Sequence, residues 1–294
     1  MKIFLIAWVL ALAAIALPAM TLEQAQASLN QSQGLVLKGR RPLSGKVMGI
    51  VDDQLVFRAA RAGGTLDYRY DIEEVERIQF PGNDVAYAAQ QAMRNSEDAE
   101  ALMLMKAMFA QRGSYLKYLT PGEHAFFYQY AELEFEQGDP YVAVAAGIAL
   151  QDAVTDPVLL RKVDDLVLLG HYQLPLKENA RELAEKWVAE TQGYGPSALG
   201  YYVLGQLDFD AEEYDAALWR ALRPVTFSSQ FPMDYLNYCY ALAIASCIEL
   251  ELPEEEQKLR AEMTDRGFSW PKIEVLAAYE TSAPTTLKNE PDTP

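Results

Sequence analysis

The amino-acid sequence predicts a mainly α chain, an α-solenoid of helix pairs preceded by a small all-β barrel. Three observations predict it. Apolar residues alternate with period two between Gly34 and Phe80, and the alternation stops at Pro81-Gly82-Asn83. From Asp84 onward, helix-starting and helix-ending residues punctuate apolar stretches of helical length. Within those stretches a small residue returns at Ala131, Gly170, Gly205 and Ala241, spaced 39, 35 and 36 residues apart. Stacked helix pairs repeat at about this period.

The first 27 residues read as a leader. Lys2 precedes an apolar run from Ile3 to Leu17, followed by Pro18-Ala19 and then polar residues. This is the order of an export signal, and the run is short of the ~20 residues that span a bilayer. Cleavage after Ala19 places Leu17 three residues before the cut. Cleavage after Ala27 gives a better Ala25-Gln26-Ala27 but lies far from the apolar run. The chain is therefore expected to be exported, to the periplasm of a Gram-negative cell. A retained leader would anchor it in the inner membrane, and this segment is its one expected membrane contact.

Residues 34–82 supply the predicted barrel. "KVMGIV" and "QLVFRA" flank an Asp52-Asp53 turn, "GGTLDYRY" follows, and "EEVERIQF" directs Ile78 and Phe80 inward. With Gly45, Val47, Ile50, Asp52-Asp53, Leu55 and Phe57-Arg58 in this order, the segment resembles the Sm-like or SH3-like barrels that begin many exported bacterial proteins. Its basic residues Arg40, Arg41, Lys46, Arg58 and Arg61 are expected near hairpin ends, where charge blunts sheet edges.

Residues 84–281 read as helices at 84–112, 121–137, 140–153, 156–171, 176–191, 196–209, 211–223, 232–250, 254–267 and 270–281. Prolines at 121, 140, 157, 196, 232 and 253 mark the starts, and Pro224 is expected to end the helix from 211. Residues 282–294 are polar, carry three prolines and are expected to be disordered.

"YYVLGQLDFDAEEYDAALWRAL" (201–222) resembles a tetratricopeptide repeat. Tyr201 stands where that family has Trp, Leu204-Gly205 supplies its Leu-Gly pair, and Tyr214 and Ala217 match the start of the second helix. The resemblance extends loosely over 121–267 through Ala131, Gly170 and Ala241. It implies that these small residues let paired helices cross closely, which offsets the ~1 kcal/mol that glycine costs a helix. It also implies that the first helix of each pair lines a concave face. Tyr128, Val167, Tyr202 and Tyr238 should point into that face, with Phe135, Leu174, Phe209 and Ala245 one turn further on. Glu132, Glu136, Asp208 and Asp210 should edge it.

Charge narrows the partner. Residues 34–82 carry eight Lys/Arg against seven Asp/Glu, whereas residues 83–294 carry sixteen against thirty-four. So acidic a surface repels nucleic acid and favours a protein or peptide partner with a basic or neutral surface.

No catalytic motif emerges. His124 and His171 are the only histidines, too few for a His-rich zinc site, and no metal or cofactor is expected. "GYGPSA" (193–198) follows a helix where a dinucleotide loop needs a strand. "GPSALG" lacks the second glycine of a nucleophile elbow, and "DFDAEE" lacks the glycine of a calcium loop. Cys239 and Cys247 lie eight residues apart on one helix, about 12 Å, too far for a disulfide.

The reading is a non-enzymatic exported adaptor. Its groove residues are Tyr128, Glu132, Phe135, Tyr202, Phe209, Asp210 and Tyr238, and its packing residues are Ala131, Gly170, Leu204, Gly205, Tyr214, Ala217 and Ala241. The alternatives are a peptidoglycan- or glycan-binding module that stacks sugars on Phe57, Tyr68 and Tyr70 of the barrel, and a carboxylate-based hydrolase.

Overall fold

The computed structural model describes residues 19–61, 63–190, 197–227 and 233–280. Most of the expected leader (1–18), the tail (281–294) and the junctions at 193–196 and 231–232 lie outside these residues. Two units emerge, Met1–Leu119 and Thr120–Pro294.

The first unit carries a five-stranded antiparallel sheet of β1 (Gln33–Leu37), β2 (Leu43–Val51), β3 (Gln54–Arg61), β4 (Gly64–Asp71) and β5 (Val75–Gln79), in the order β4-β3-β2-β1-β5. Asp52 and Asp53 both take positive φ, 51° and 58°, as a tight two-residue hairpin turn requires. β2 pairs with β1 through residues 43–45 and with β3 from Lys46 onward, so the sheet bends along this strand. Gly45 permits the bend, because a Cβ there would strike the Arg58 carbonyl and the Phe57 ring. Leu35, Leu37, Leu55, Phe57 and Ile78 fill the inner face. Arg58 pairs across the sheet with Asp67 at 2.6 Å, and Arg40 stands 3.6 Å from Glu74.

Among the described residues, three α-helices complete this unit: α1 (Leu22–Leu29), α2 (Asn83–Arg94) and α3 (Asp98–Arg112). The single helix expected over 84–112 is thus two. Ser96 turns to a φ of 60° between them, a break that no proline or glycine announces.

The second unit is a stack of helix pairs: α4 (Pro121–Gln137) with α5 (Pro140–Gln151), α6 (Pro157–Gln173) with α7 (Lys177–Glu190), α8 (Leu199–Asp210) with α9 (Tyr214–Phe227), and α10 (Leu236–Glu249) with α11 (Pro253–Asp265). A short α12 (Glu274–Glu280) follows. The starts are built as their residues dictate. Thr120 and Glu123 form a reciprocal capping box before α4, and Asp139 and Asp156 accept amide protons at the heads of α5 and α6. From α4 to α11 each helix packs on the next, α12 packs on α10, and first helices also pack on one another: α4 on α6, α6 on α8, α8 on α10. These extra contacts draw the first helices together into an inner layer.

Small residues stand at the crossings. A Cβ on Gly205 would lie 2.8 Å from Leu242 Cδ2 of α10 and 3.3 Å from the Ala217 carbonyl of α9. Ala131, Ala217 and Ala241 are fully buried, Leu204 nearly so, and Tyr214 packs edge-on against Phe209 with ring centroids 5.1 Å apart. Gly170 occupies a different crossing, facing Val144 of the preceding α5, while Gly147 of α5 faces Val167 in return. Buried Asp208 fastens neighbouring pairs by accepting from Arg181 of α7 at 3.1 Å and Arg220 of α9 at 2.7 Å. Pro224 does not end α9, which continues to Phe227. It removes one hydrogen bond near the helix end, while Pro224 and Val225 are buried in the core.

Candidate functional site

Between the inner helices and the segment leading into α12 lies a cavity of about 750 Å³. Helix α4 contributes Tyr128, Glu132, Phe135 and Glu136, all on one face by helical spacing. Helix α6 adds Leu166, Leu169 and Tyr172, α8 adds Tyr202, and the start of α10 adds Tyr235 and Tyr238. Lys272, Ile273, Glu274 and Val275 close one side.

The rings form a continuous row across three inner helices. Tyr172 meets Tyr202 edge-on at 6.4 Å, Tyr202 meets Tyr238 at 5.2 Å, and Tyr238 meets Tyr235 at 5.1 Å. Edge-to-face pairs of this kind add to the stabilisation from burial and hold each ring at a fixed angle to the cavity. Tyr235 caps α10 with a φ of 62°, a left-handed conformation costly for a residue with a side chain. Its carbonyl accepts from the Tyr238 and Cys239 amides, which ties it to the first turn of α10.

Electrostatics favour neutral phenols and a negative rim. Burial raises the ionisation of Tyr128, Tyr172, Tyr202 and Tyr235 well above the ordinary phenol value, and nearby carboxylates add to the rise. These hydroxyls therefore remain donors at physiological pH. Partial desolvation raises the Glu132 carboxyl, against the lowering influence of the neighbouring Tyr128 hydroxyl and of Lys162. Lys177 lies 4.4 Å above the Tyr172 ring and is bound at 2.7 Å to Asp210, which neutralises its charge. Glu132, Glu136 and Glu274 face a single further cation, Lys272, in the lining.

Of the seven groove residues expected from sequence, the cavity brings together Tyr128, Glu132, Phe135, Tyr202 and Tyr238. Phe209 is not among them. It is buried against Tyr214 and, at 5.8 Å, against Tyr279 of α12, which covers the place where a groove residue would stand. Asp210 also leaves the lining, because its carboxylate is drawn aside by Lys177 and Gln206. Val167, Leu174 and Ala245 are buried in the core. In α6, Leu166, Leu169 and Tyr172 take the cavity-facing positions instead, so the register there is shifted relative to Gly170. Sequence reasoning missed Tyr235, which lies outside any helical period, and the 272–275 segment, which repeat spacing does not reach.

Two other expectations meet the structure directly. Phe57 is fully buried in the sheet and cannot stack on a sugar, which corrects the proposed aromatic platform; Tyr68 and Tyr70 stack on each other at 6.3 Å. Cys239 and Cys247 are both free and buried. Burial raises both thiols, Cys247 to about 11, so neither is a nucleophile at neutral pH.

No family model matches the chain, and no curated protein matches it. Among solved structures, the crystal structure of MamA protein is similar with a TM-score of 0.44 and 11% sequence identity, covering 64% of this chain and 97% of that one.

Proposed function

We propose that the chain is an exported, non-enzymatic adaptor whose inner helices hold a segment of a protein partner, extended or helical, that carries a basic side chain. The observation that carries this reading is the row of tyrosine rings from α6, α8 and α10 beside carboxylates on α4. Rings held at fixed angles lose little entropy on contact and act as binding anchors. A cation is attracted both by ring faces and by Glu132 and Glu136. The acidic balance of residues 83–294 acts in the same direction at longer range. Support for an adaptor over a carboxylate-based hydrolase comes from the rim: Glu132 and Glu136 rise from one helix one turn apart, and they and Glu274 of the facing segment are all exposed. Opposed carboxylates across a closed cleft are what glycosidase chemistry needs. The leader-like N-terminus supports a periplasmic location.

Selection from a displayed library of random peptides tests the reading. Peptides retained by the purified chain should share a Lys or Arg beside aromatic or aliphatic residues. Enrichment of acidic peptides, or no enrichment at all, sinks the proposal.

A further inference from the structure

We infer that the leader is removed by hydrolysis of the Ala19–Met20 bond, and that the new amino terminus docks on Glu100. The inference rests on export, and not on what the groove binds. Sequence alone leaves two sites open, one after Ala19 close to the apolar run and one after Ala27 with the better small residues. The fold distinguishes them. Residues 22–29 form α1, whose Thr21 accepts from the Gln24 amide while the Gln24 side chain accepts from the Thr21 amide. Ala25 is fully buried, Leu29 nearly so, and α1 packs on α2 and α3. Ser28 donates to Asp84, and the Leu29 carbonyl accepts from Gln111.

Removal of residues 1–27 would strip the cap and six of the eight residues of α1, uncovering the apolar surface of α3 beneath. Removal of residues 1–19 leaves the capping box and the described contacts of α1 intact. The nitrogen of Met20 already lies 3.2 Å from Glu100 Oε1. Hydrolysis adds water across the amide, leaving a carboxylate on Ala19 and an ammonium on Met20, so an amide hydrogen bond becomes a charge-assisted one. The catalyst required is a leader protease that accepts a small residue before the cut.

The test is the amino-terminal sequence and intact mass of the full-length chain, produced with its own leader in a bacterium with an outer membrane and recovered from the periplasm. The expected first residue is Met20. Ala27 is exposed, so Ala27→Tyr preserves the fold while spoiling the second site, and its product should also begin at Met20. Ala19→Tyr should retain the leader. A product beginning at Ser28, or an Ala27→Tyr chain left uncut, overturns the assignment while leaving export standing. A chain found only in the cytoplasm overturns export and the cut together. In the mature protein the Met20 amine should titrate above its ordinary value of about 8, and Glu100→Gln should return it there. Identical titration in the two chains overturns the docking.

Discussion

Gly205→Leu is expected to destabilise the helical unit by about 3 kcal/mol, near the upper end for overpacking a well-filled core. Three helices meet at this glycine. The first added carbon already stands 2.8 Å from a Leu242 methyl and 3.3 Å from the Ala217 carbonyl. The methyl can rotate aside but the carbonyl belongs to the α9 backbone, so alanine is tolerable where leucine is not. Gly205→Ala also regains about 1 kcal/mol of helix propensity, which partly offsets its contact with Leu242. Gly122→Leu is the control, since a Cβ there meets nothing within 4 Å. Urea unfolding measures the difference as a shift in midpoint at constant slope. A wild-type midpoint for Gly205→Leu would show that the helices do not cross at this residue.

The second large effect lies at Asp165 on α6. Its side chain is only 4% exposed, and Oδ1 has no hydrogen-bond partner among the described residues. Burial pushes the carboxyl up to about 7; Asp234 and Asp164 add to the rise, while Ser197 and Arg161 oppose it. In the unfolded chain an aspartate titrates near 3.9. Between these two values the folded chain holds a proton that the unfolded chain has lost. Stability from this group is therefore fully present below about pH 4 and is lost as pH rises through 7. The ionised form costs up to about 4 kcal/mol at pH 8. Asp165→Asn, which cannot ionise, should match the wild type near pH 4 and exceed it at pH 8 by several degrees in Tm. Parallel Tm curves for the two proteins from pH 4 to pH 8 would refute this account of Asp165.

Much of the helical unit was legible because its punctuation is local. Thr120-Pro121, Asp139-Pro140 and Asp156-Pro157 state where helices begin, and the structure starts α4, α5 and α6 there. What sequence could not give is decided by distant contacts. The break at Ser96 carries only the weak local signal of Asn95-Ser96, residues that favour helix ends, with no proline or glycine to mark it. Helix α1 is too short to be stable alone and owes its form to burial of Ala25 and Leu29.

The groove divides the same way. Tyr128, Tyr202 and Tyr238 each stand three residues before a buried small residue, so helical geometry alone aims them at one face. Gly170 misled the register in α6, because a glycine signals a close crossing without saying which neighbour makes it. Phe209 fits the spacing, yet α12 covers it through Tyr279, and no repeat pattern anticipates that helix. Tyr235 enters the cavity through a left-handed backbone that periodicity does not encode.

The most direct measurement is the dissociation constant of a basic peptide selected by the chain, compared with that of Tyr128→Ala/Tyr238→Ala. Removing two partly exposed anchors from different helices should weaken binding by at least about 2 kcal/mol, roughly 30-fold. Trp219→Ala, on the exposed side of α9 at 70% exposure, should leave it unchanged. Equal affinity for the double variant and the wild type would place the partner elsewhere and contradict the groove.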